Sequence, residues 1–112
     1  MVVCVAPIEK FRDYIFKPGA THGKDHVFRS LGYDRSHSAE LAAIFEQQAA
    51  KKYAQGSFSL GRLDEYGQRI NIEIELDGIG DCGNQKSYII SGWMTQSDGS
   101  ITMNTPFGGF AR

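Results

Sequence analysis

The sequence has few cysteines, almost no net charge and no long apolar run, and each shortage excludes a class of protein. Its 112 residues include two cysteines, Cys4 and Cys82, and neither has a second cysteine or a histidine at metal-ligand spacing. No metal site is therefore expected. Spacing alone leaves a disulfide open, and we expect two free thiols. The formal net charge of −1 argues against a protein that coats nucleic acid by charge alone.

The apolar start of the chain, from Met1 to Pro7, is too short to cross a membrane and lacks the basic beginning of a signal peptide. We therefore expect any export to occur as part of a larger protein. A content of 41% hydrophobic and 22% charged residues is typical of a folded globular domain. The length predicts a single domain over residues 1–112. Residues 1–55 carry eight Lys and Arg against six Asp and Glu, whereas residues 56–112 carry four against seven.

Apolar residues recur at helical spacing in the first half of the chain and alternate in the second half. The spacing predicts helices over 7–16, 23–31 and 38–55, with Gly32 as a C-terminal cap and Ser36 or Ser38 as an N-terminal cap. Alternation predicts strands over 57–63, 70–76, 88–95 and 100–104. The expected fold class is α+β, with N-terminal helices packed on one face of a C-terminal antiparallel sheet of about four strands.

The last two predicted strands flank Asp98-Gly99, a favoured two-residue hairpin turn. Such a turn sets Thr95 opposite Thr102 and Trp93 opposite Asn104, so that these four residues share one face. The other face then holds a core set: Ile90, Met94, Ile101 and Met103. A surface with one stacking ring, hydroxyls and an amide suits a base and its phosphate, although a plain solvated face has the same composition.

The densest chemistry lies between Thr21 and Tyr33, where His22, Lys24 and His26 fall within five residues. Imidazole accepts and returns protons near pH 7, and lysine holds an anion, so these groups suit metal-free RNA cleavage. They stand at the entry to a predicted helix, where backbone donors favour an anion. Solvated surface residues are the plain alternative. Glu73 and Glu75 are also ambiguous, because paired carboxylates do acid–base work but more often clad an exposed strand face.

Two segments carry a family resemblance. The run Gly23 to Tyr33, and the ending from Gly92 through Asp98-Gly99 to Phe107, resemble the C-terminal toxin domains of bacterial contact-dependent inhibition and filamentous haemagglutinin-type proteins. The likeness extends over about residues 8–110. More loosely, the chain is similar to a toxin-associated family whose pattern is matched by His22, Lys24, Phe28, Leu31, Gly32 and Tyr33. Such domains resemble the barnase, EndoU, colicin and RelE group of ribonucleases, in which helices precede a small antiparallel sheet.

Together these observations predict a metal-independent ribonuclease toxin without a cofactor, directed at RNA and in particular transfer RNA. The expected catalytic residues are His22, Lys24, His26 and Thr102; the expected substrate-binding residues are Trp93, Thr95, Asn104, Arg29 and Arg35. The resemblance implies a cognate immunity protein, acidic and bound to the basic helical side. It also implies secretion within a larger surface protein and action in the target-cell cytoplasm. The alternative is a non-catalytic module that binds an anion or a protein.

Overall fold

The computed structural model describes residues 3–111 and has the expected α+β architecture, with five strands instead of four. The helical elements are a π-helical turn at Lys10–Ile15, α1 at Asp25–Arg29 and α2 at Ser38–Ala54, with 3₁₀ turns at Arg35–His37 and Gly80–Cys82. The strands are β1 (Cys4–Val5), β2 (Ser59–Asp64), β3 (Gly67–Asp77), β4 (Lys86–Thr95) and β5 (Ile101–Thr105).

The strands form one sheet in the order β1-β5-β4-β3-β2. The four strands of the second half pair antiparallel, as expected from the sequence. The strand that sequence analysis missed is β1, which pairs parallel to β5 through Cys4 and Val5. It closes the edge of the sheet opposite β2.

One face of the sheet, the inner face, packs against all the helices. The strict alternation in β3 is confirmed, because Ile70, Ile72, Ile74 and Leu76 are all buried. On the helical side, Phe45 of α2 makes edge contacts with Phe11 and lies against Phe28, with ring centroids 5.0 and 6.3 Å apart. These aromatic contacts join the three helical elements into one layer. Within residues 3–111, no helix covers the other face of the sheet, the outer face.

The helices lie where the sequence predicts them, but they differ from the prediction in length and in capping. The segment predicted over 7–16 narrows to Lys10–Ile15, and that predicted over 23–31 narrows to Asp25–Arg29. Gly32 follows α1 with a φ of +94°, which confirms its predicted place as a cap. Neither predicted serine caps α2, whose N-cap position is His37 without a side-chain cap bond; the capping side chain is Asp34, which precedes the 3₁₀ turn and accepts from the Ser36 backbone N–H at 2.9 Å.

The register of the β4–β5 hairpin corrects the sequence prediction. The Gln96 N–H donates to the Ser100 carbonyl at 2.8 Å, so the loop has one residue more than a two-residue Asp98-Gly99 turn. Thr95 is therefore opposite Ile101 rather than Thr102, and Trp93 is opposite Met103 rather than Asn104. Because side chains alternate along a strand, a slip of one residue moves each partner to the other face.

The slip divides the four residues that were expected to share a face. Trp93 and Thr95 lie on the inner face, whereas Thr102, opposite Met94, lies on the outer face. Ile90 and Met94, expected in the core, alternate with the buried Ile89, Ser91 and Trp93 and so lie on the outer face. The expected core positions of Ile101 and Met103 are confirmed.

Both cysteines are free thiols, as expected. Burial, and next the nearby carboxylate of Glu46, raise the pKa of Cys4. Within residues 3–111, no helix has the combination of length and apolar character that crossing a bilayer requires.

Candidate functional site

The outer face of the sheet carries the densest set of polar side chains that belong to regular elements. On β3, Arg69, Asn71 and Glu73 alternate with the buried isoleucines and therefore all point to this face. Asn71 lies in a cross-strand row between Ser59 of β2 and Gly92 of β4. Of these positions, the sequence pattern predicted Asn71 and Glu73 on the exposed face of a strand, with Glu73 ambiguous between acid–base work and a solvated position, and Arg69 lay outside the predicted strand.

A groove of about 550 Å³ crosses this face. Its lining combines an ammonium, a carboxylate, an amide, two hydroxyls and three apolar side chains: Lys52, Glu73, Asn71, Ser57, Ser59, Phe58, Ile90 and Ala111. The volume is in the range typical of small-molecule sites.

Lys52 reaches the groove from the helical layer. β2 ends its pairing with β3 at Asn71, so the edge of β3 beyond that residue has no strand beside it. The Gln48 side chain bonds both backbone groups of Glu75 there, at 2.6 and 2.8 Å, in the manner of a neighbouring strand. One turn later in α2, the Lys52 ammonium donates to the Glu73 carbonyl and lies 4.0 Å from its Oε2. This geometry holds a cation and a carboxylate side by side in the groove.

A smaller depression of about 170 Å³ adjoins the groove on the same face. Its centre is Gly92, where the absence of a side chain leaves room between neighbouring strands. Arg69, Asn104 and Thr105 are among the residues that line it, and Asn71 lines both the depression and the groove. The shared asparagine makes the two hollows one continuous surface.

A β-bulge directs the side chains from β5 into this depression. Gly92 pairs with Thr105 while Trp93 pairs with Met103, so Asn104 is an extra residue without a partner. A bulge of this kind re-aims side chains next to functional sites. Asn104, predicted as a substrate-binding residue, lies on the outer face because it alternates with the buried Met103, and the bulge places Thr105 on that face as well.

Arg69 provides the positive charge of the depression. Its Nε is buried and makes no hydrogen bond to any residue that the structure describes. The nearest carboxylate, Asp64, lies 3.6 Å away and also faces Arg62 at 3.3 Å. The backbone N–H of Tyr66 is the main cause that lowers the Asp64 pKa, and the two arginines act in the same direction. The Nε therefore faces Asp64 Oδ2 as an ion pair without a hydrogen bond, and the Arg69 side chain, which is 36% exposed, keeps other N–H groups that can bind an anion such as a phosphate.

The histidine segment forms a second surface, on the helical side. Lys24 N–H donates to His22 Nδ1 at 3.0 Å, and His22 Nε2 lies 2.7 Å from the Tyr14 carbonyl oxygen. The tautomer that satisfies both contacts carries its proton on Nε2, because Nδ1 is the acceptor. Both ring nitrogens are engaged, so His22 must give up a hydrogen bond before it can accept a proton. Its expected catalytic role is untested by this geometry.

Tyr14 is the centre of that surface, and sequence analysis did not select it. The Lys24 ammonium donates to Tyr14 Oη at 2.9 Å and lies 5.2 Å from its ring centroid. His22 packs on the same ring at 4.9 Å. A pocket of about 420 Å³ there is lined by Tyr14, Lys17, Gly19, Ala20, Thr21 and His22. His26 is exposed, with its ring next to Gly23.

The predicted shared groove between the histidine segment and the terminal hairpin is not formed. The pocket at His22 is lined wholly by residues 14–22, and Thr102 lies on the far side of the sheet from the helices. Trp93 is fully buried, and its indole N–H donates to Ser91 Oγ at 2.8 Å, so it presents no ring to a base. Thr95 lies on the inner face and donates to the Gln68 carbonyl at 3.0 Å.

The two predicted backbone-binding arginines have partners within the domain. Arg29 pairs with Asp25 at 2.7 Å, which is the first cause that lowers the pKa of that carboxyl, and it lies over the Phe16 ring. Arg35 donates to the Arg12 carbonyl at 3.0 Å and pairs with Asp13 at 3.3 Å. Both arginine side chains are about half exposed, so a substrate can still displace these pairs.

Among residues 3–111, no group of three or more His, Cys, Asp or Glu side chains is arranged as a metal site. The protein is an α+β domain in which Arg69 and Glu73 lie on the outer face of the sheet and Lys52 reaches that face from α2. No family model matches the sequence, and no curated protein matches it.

Among solved structures, the chain is similar to one chain of the contact-dependent growth inhibition toxin–immunity protein complex from Klebsiella pneumoniae 342. The two chains are 25% identical with a TM-score of 0.62, and the match covers 90% of this chain and 89% of the other. This likeness relates the chain to proteins of contact-dependent growth inhibition. The ribonuclease group named in the sequence resemblance stays a prediction.

Proposed function

We propose that this chain is the toxin domain of a contact-dependent growth inhibition system and that it cleaves RNA, with transfer RNA as the target, without a metal ion. The observation that carries the proposal is the arrangement on the outer face. Glu73 and Lys52 lie side by side in the groove, and Arg69 lies in the adjoining depression, on the other side of Asn71. A carboxylate next to two cations is a sufficient set of groups for cleavage at a phosphodiester.

The proposed chemistry uses the substrate's own nucleophile. The 2′-hydroxyl attacks the adjacent phosphorus, the P–O5′ bond breaks, and the products are a 2′,3′-cyclic phosphate and a 5′-hydroxyl. Glu73 takes the proton from the 2′-hydroxyl, and Lys52 is the proton donor nearest to it for the departing 5′ oxygen. Arg69 stabilises the extra negative charge on the phosphate in the transition state, and Lys52 supplies positive charge on the Glu73 side of the reacting group.

The histidine segment is the second candidate for the catalytic centre. His22, Lys24 and His26 are the residues chosen from the sequence, and the pocket of about 420 Å³ beside Tyr14 supports a ligand there. Thr102 lies on the outer face of the sheet and this segment lies on the helical side, so the two do not act together. We therefore treat the two surfaces as competing sites for the same reaction.

The proposed partners follow from the similar complex. We expect a cognate immunity protein to bind and silence this domain in the producing cell. Delivery within a larger surface protein, followed by action in the cytoplasm of a rival cell, is the corresponding route. The alternative function, a non-catalytic module that binds an anion or a protein, uses the same cations without any cleavage.

The test is incubation of purified domain with total RNA in EDTA, followed by detection of fragments that end in cyclic phosphate. We expect cleavage by the unmodified domain and a loss of about 100-fold or more in Glu73→Gln, the range typical of a general base. Glu75→Gln is the matched control, because Glu75 lies on the same strand and face and lines no part of the groove described above. Its activity is expected to stay unchanged.

Three results would contradict parts of this proposal. Cleavage that survives Glu73→Gln but disappears in His22→Ala moves the catalytic centre to the histidine segment. Cleavage that requires a divalent ion overturns the metal-independent mechanism. Intact RNA combined with tight binding of a protein or anion supports the non-catalytic module.

A further inference from the structure

We infer that the outer face holds one unstacked nucleotide in a fixed orientation, with its base against Phe58 in the groove and its 3′-phosphate in the depression at Arg69. The inference rests on the proposed function and deepens it by naming the substrate as single-stranded RNA. It assigns Phe58 a role in substrate specificity and Arg69 a role in phosphate binding.

The groove has the chemistry of a base site at the end formed by Phe58. The Phe58 ring is partly buried: it packs against the hydrophobic core and on Tyr53 of α2, with a centroid distance of 5.2 Å, and it also lines the groove, so its position is set before any ligand arrives. Ile90 and Ala111 extend the apolar surface. The rim has hydroxyl and amide groups from Ser57, Ser59 and Asn71, which suit the polar edges of a base. A flat ring flanked by such donors and acceptors is how proteins hold single-stranded bases.

The depression has the chemistry of a phosphate site. Its lining joins the Arg69 guanidinium, whose Nε is ion-paired with Asp64, to the Asn104 amide and the Thr105 hydroxyl. Guanidinium groups match phosphate geometry, and amide and hydroxyl groups donate to the remaining oxygens. Gly92 keeps the floor open: a Cβ built there would lie 3.5 Å from Thr105 Cβ, so a larger side chain would fill the space.

The spacing of the two hollows matches a base and its own phosphate. Asn71 lines both, and Arg69 and Glu73 stand on either side of it on the same face, each about 7 Å away along the strand. A ribose placed over Asn71 therefore brings its 2′-hydroxyl toward Glu73 and its 3′-phosphate toward Arg69. A base seated in the groove cannot remain stacked in a duplex, so a paired helix is excluded as the bound form.

The test is titration of the full domain with nucleoside 3′-monophosphates, followed by amide chemical shifts. We expect shifts near Phe58 and near Thr105 with the nucleotide, shifts near Thr105 alone with inorganic phosphate, and weaker binding of the unphosphorylated nucleoside. Phe58→Leu keeps an apolar side chain and removes the ring, and it should weaken nucleotide binding about tenfold while phosphate binding stays unchanged. Tyr66→Leu is the control, because Tyr66 is an aromatic residue at the β2–β3 turn that is 74% exposed.

Arg69→Ala should weaken both the nucleotide and inorganic phosphate, and Arg62→Ala, which removes the other arginine at Asp64, should weaken neither. Equal binding of phosphate and nucleotide, or no effect of Phe58→Leu, would overturn the base site. Shifts confined to residues 14–24 would overturn the whole assignment. These measurements require no catalytic turnover. If the nucleotide binds as described but RNA stays intact, only the catalytic proposal is refuted. If RNA is cleaved without binding at Phe58, only this inference is refuted.

Discussion

Trp93 gives the sharpest check on the register of the terminal hairpin. The sequence placed its ring on an exposed surface, whereas the structure buries it completely on the inner face, opposite Met103. Its indole N–H donates to Ser91 Oγ at 2.8 Å, and that hydroxyl donates in turn to the Ile72 carbonyl at 2.8 Å. Substitution should therefore change stability before it changes any contact with a ligand.

The expected magnitudes follow from this environment. Trp93→Ala removes the largest fully buried side chain and should lower the free energy of unfolding by about 3–5 kcal/mol. Trp93→Phe should lower it by about 2–3 kcal/mol, because it loses one hydrogen bond of about 1 kcal/mol and leaves a smaller cavity. Since small domains have only about 5–15 kcal/mol in total, both changes are large.

The assay is urea unfolding followed by far-ultraviolet circular dichroism, with Tyr66→Ala as the exposed aromatic control, expected within about 0.5 kcal/mol of the unmodified domain. Trp93 is the single tryptophan, so its fluorescence reports its surroundings directly. Blue-shifted emission that resists quenching by iodide is expected. Readily quenched emission, together with unchanged stability of Trp93→Phe, would refute the inner-face placement.

Two further predictions concern the backbone and pH. Gly32→Ala should lower the free energy of unfolding by about 1–3 kcal/mol, because φ is +94° and the added Cβ would lie 2.7 Å from a carbonyl oxygen. Gly56→Ala, where φ is +72° and nothing lies within 4 Å, should cost less in the same urea assay, and an equal loss would contradict the role of the close contact. The side chain and then the backbone N–H of Ser36 lower the pKa of Asp34 in the folded state. The stability that this shift contributes is present above the ordinary carboxyl pKa of about 3.9 and is lost as pH falls through the lowered folded value. Acid titration of Asp34→Ala should show a shallower loss below about pH 4, and an unchanged profile would remove Asp34 from the acid response.

The parts of the fold that were predictable from sequence are those with a strong local period. The alternation from Ile70 to Leu76 and the apolar stripe of α2 each specify a buried face without reference to the rest of the chain. By contrast, β1 has two residues, and its pairing with β5 joins distant parts of the sequence. No local pattern reports such a pairing.

The candidate site was harder to predict, because loop length decides which side chains share a face. One added residue in the loop before Ser100 moves Trp93 into the core, and the bulge at Asn104 then returns the end of β5 to the outer face. Asn71 and Glu73 were visible in sequence as the polar half of an alternating strand, with Glu73 left ambiguous, and Arg69 lay just outside that strand. Their neighbours on other elements, Lys52 above all, distinguish them from a solvated face.

The position of Lys52 also bears on how a partner would silence the domain. The sequence expectation was an acidic immunity protein on the basic helical side, yet the proposed chemistry lies on the opposite face of the sheet. Lys52 connects the two, because it starts in α2 and reaches around the open edge of β3 into the groove. The same edge carries Gln48 and Lys51 of α2, and Gln55 directly after it, next to Glu75. An acidic partner bound along the second half of α2 would therefore remove a cation from the groove without covering the sheet, whereas a partner confined to Tyr14 and His22 would leave the groove open. The footprint of an immunity protein thus separates the two candidate centres independently of any assay of cleavage.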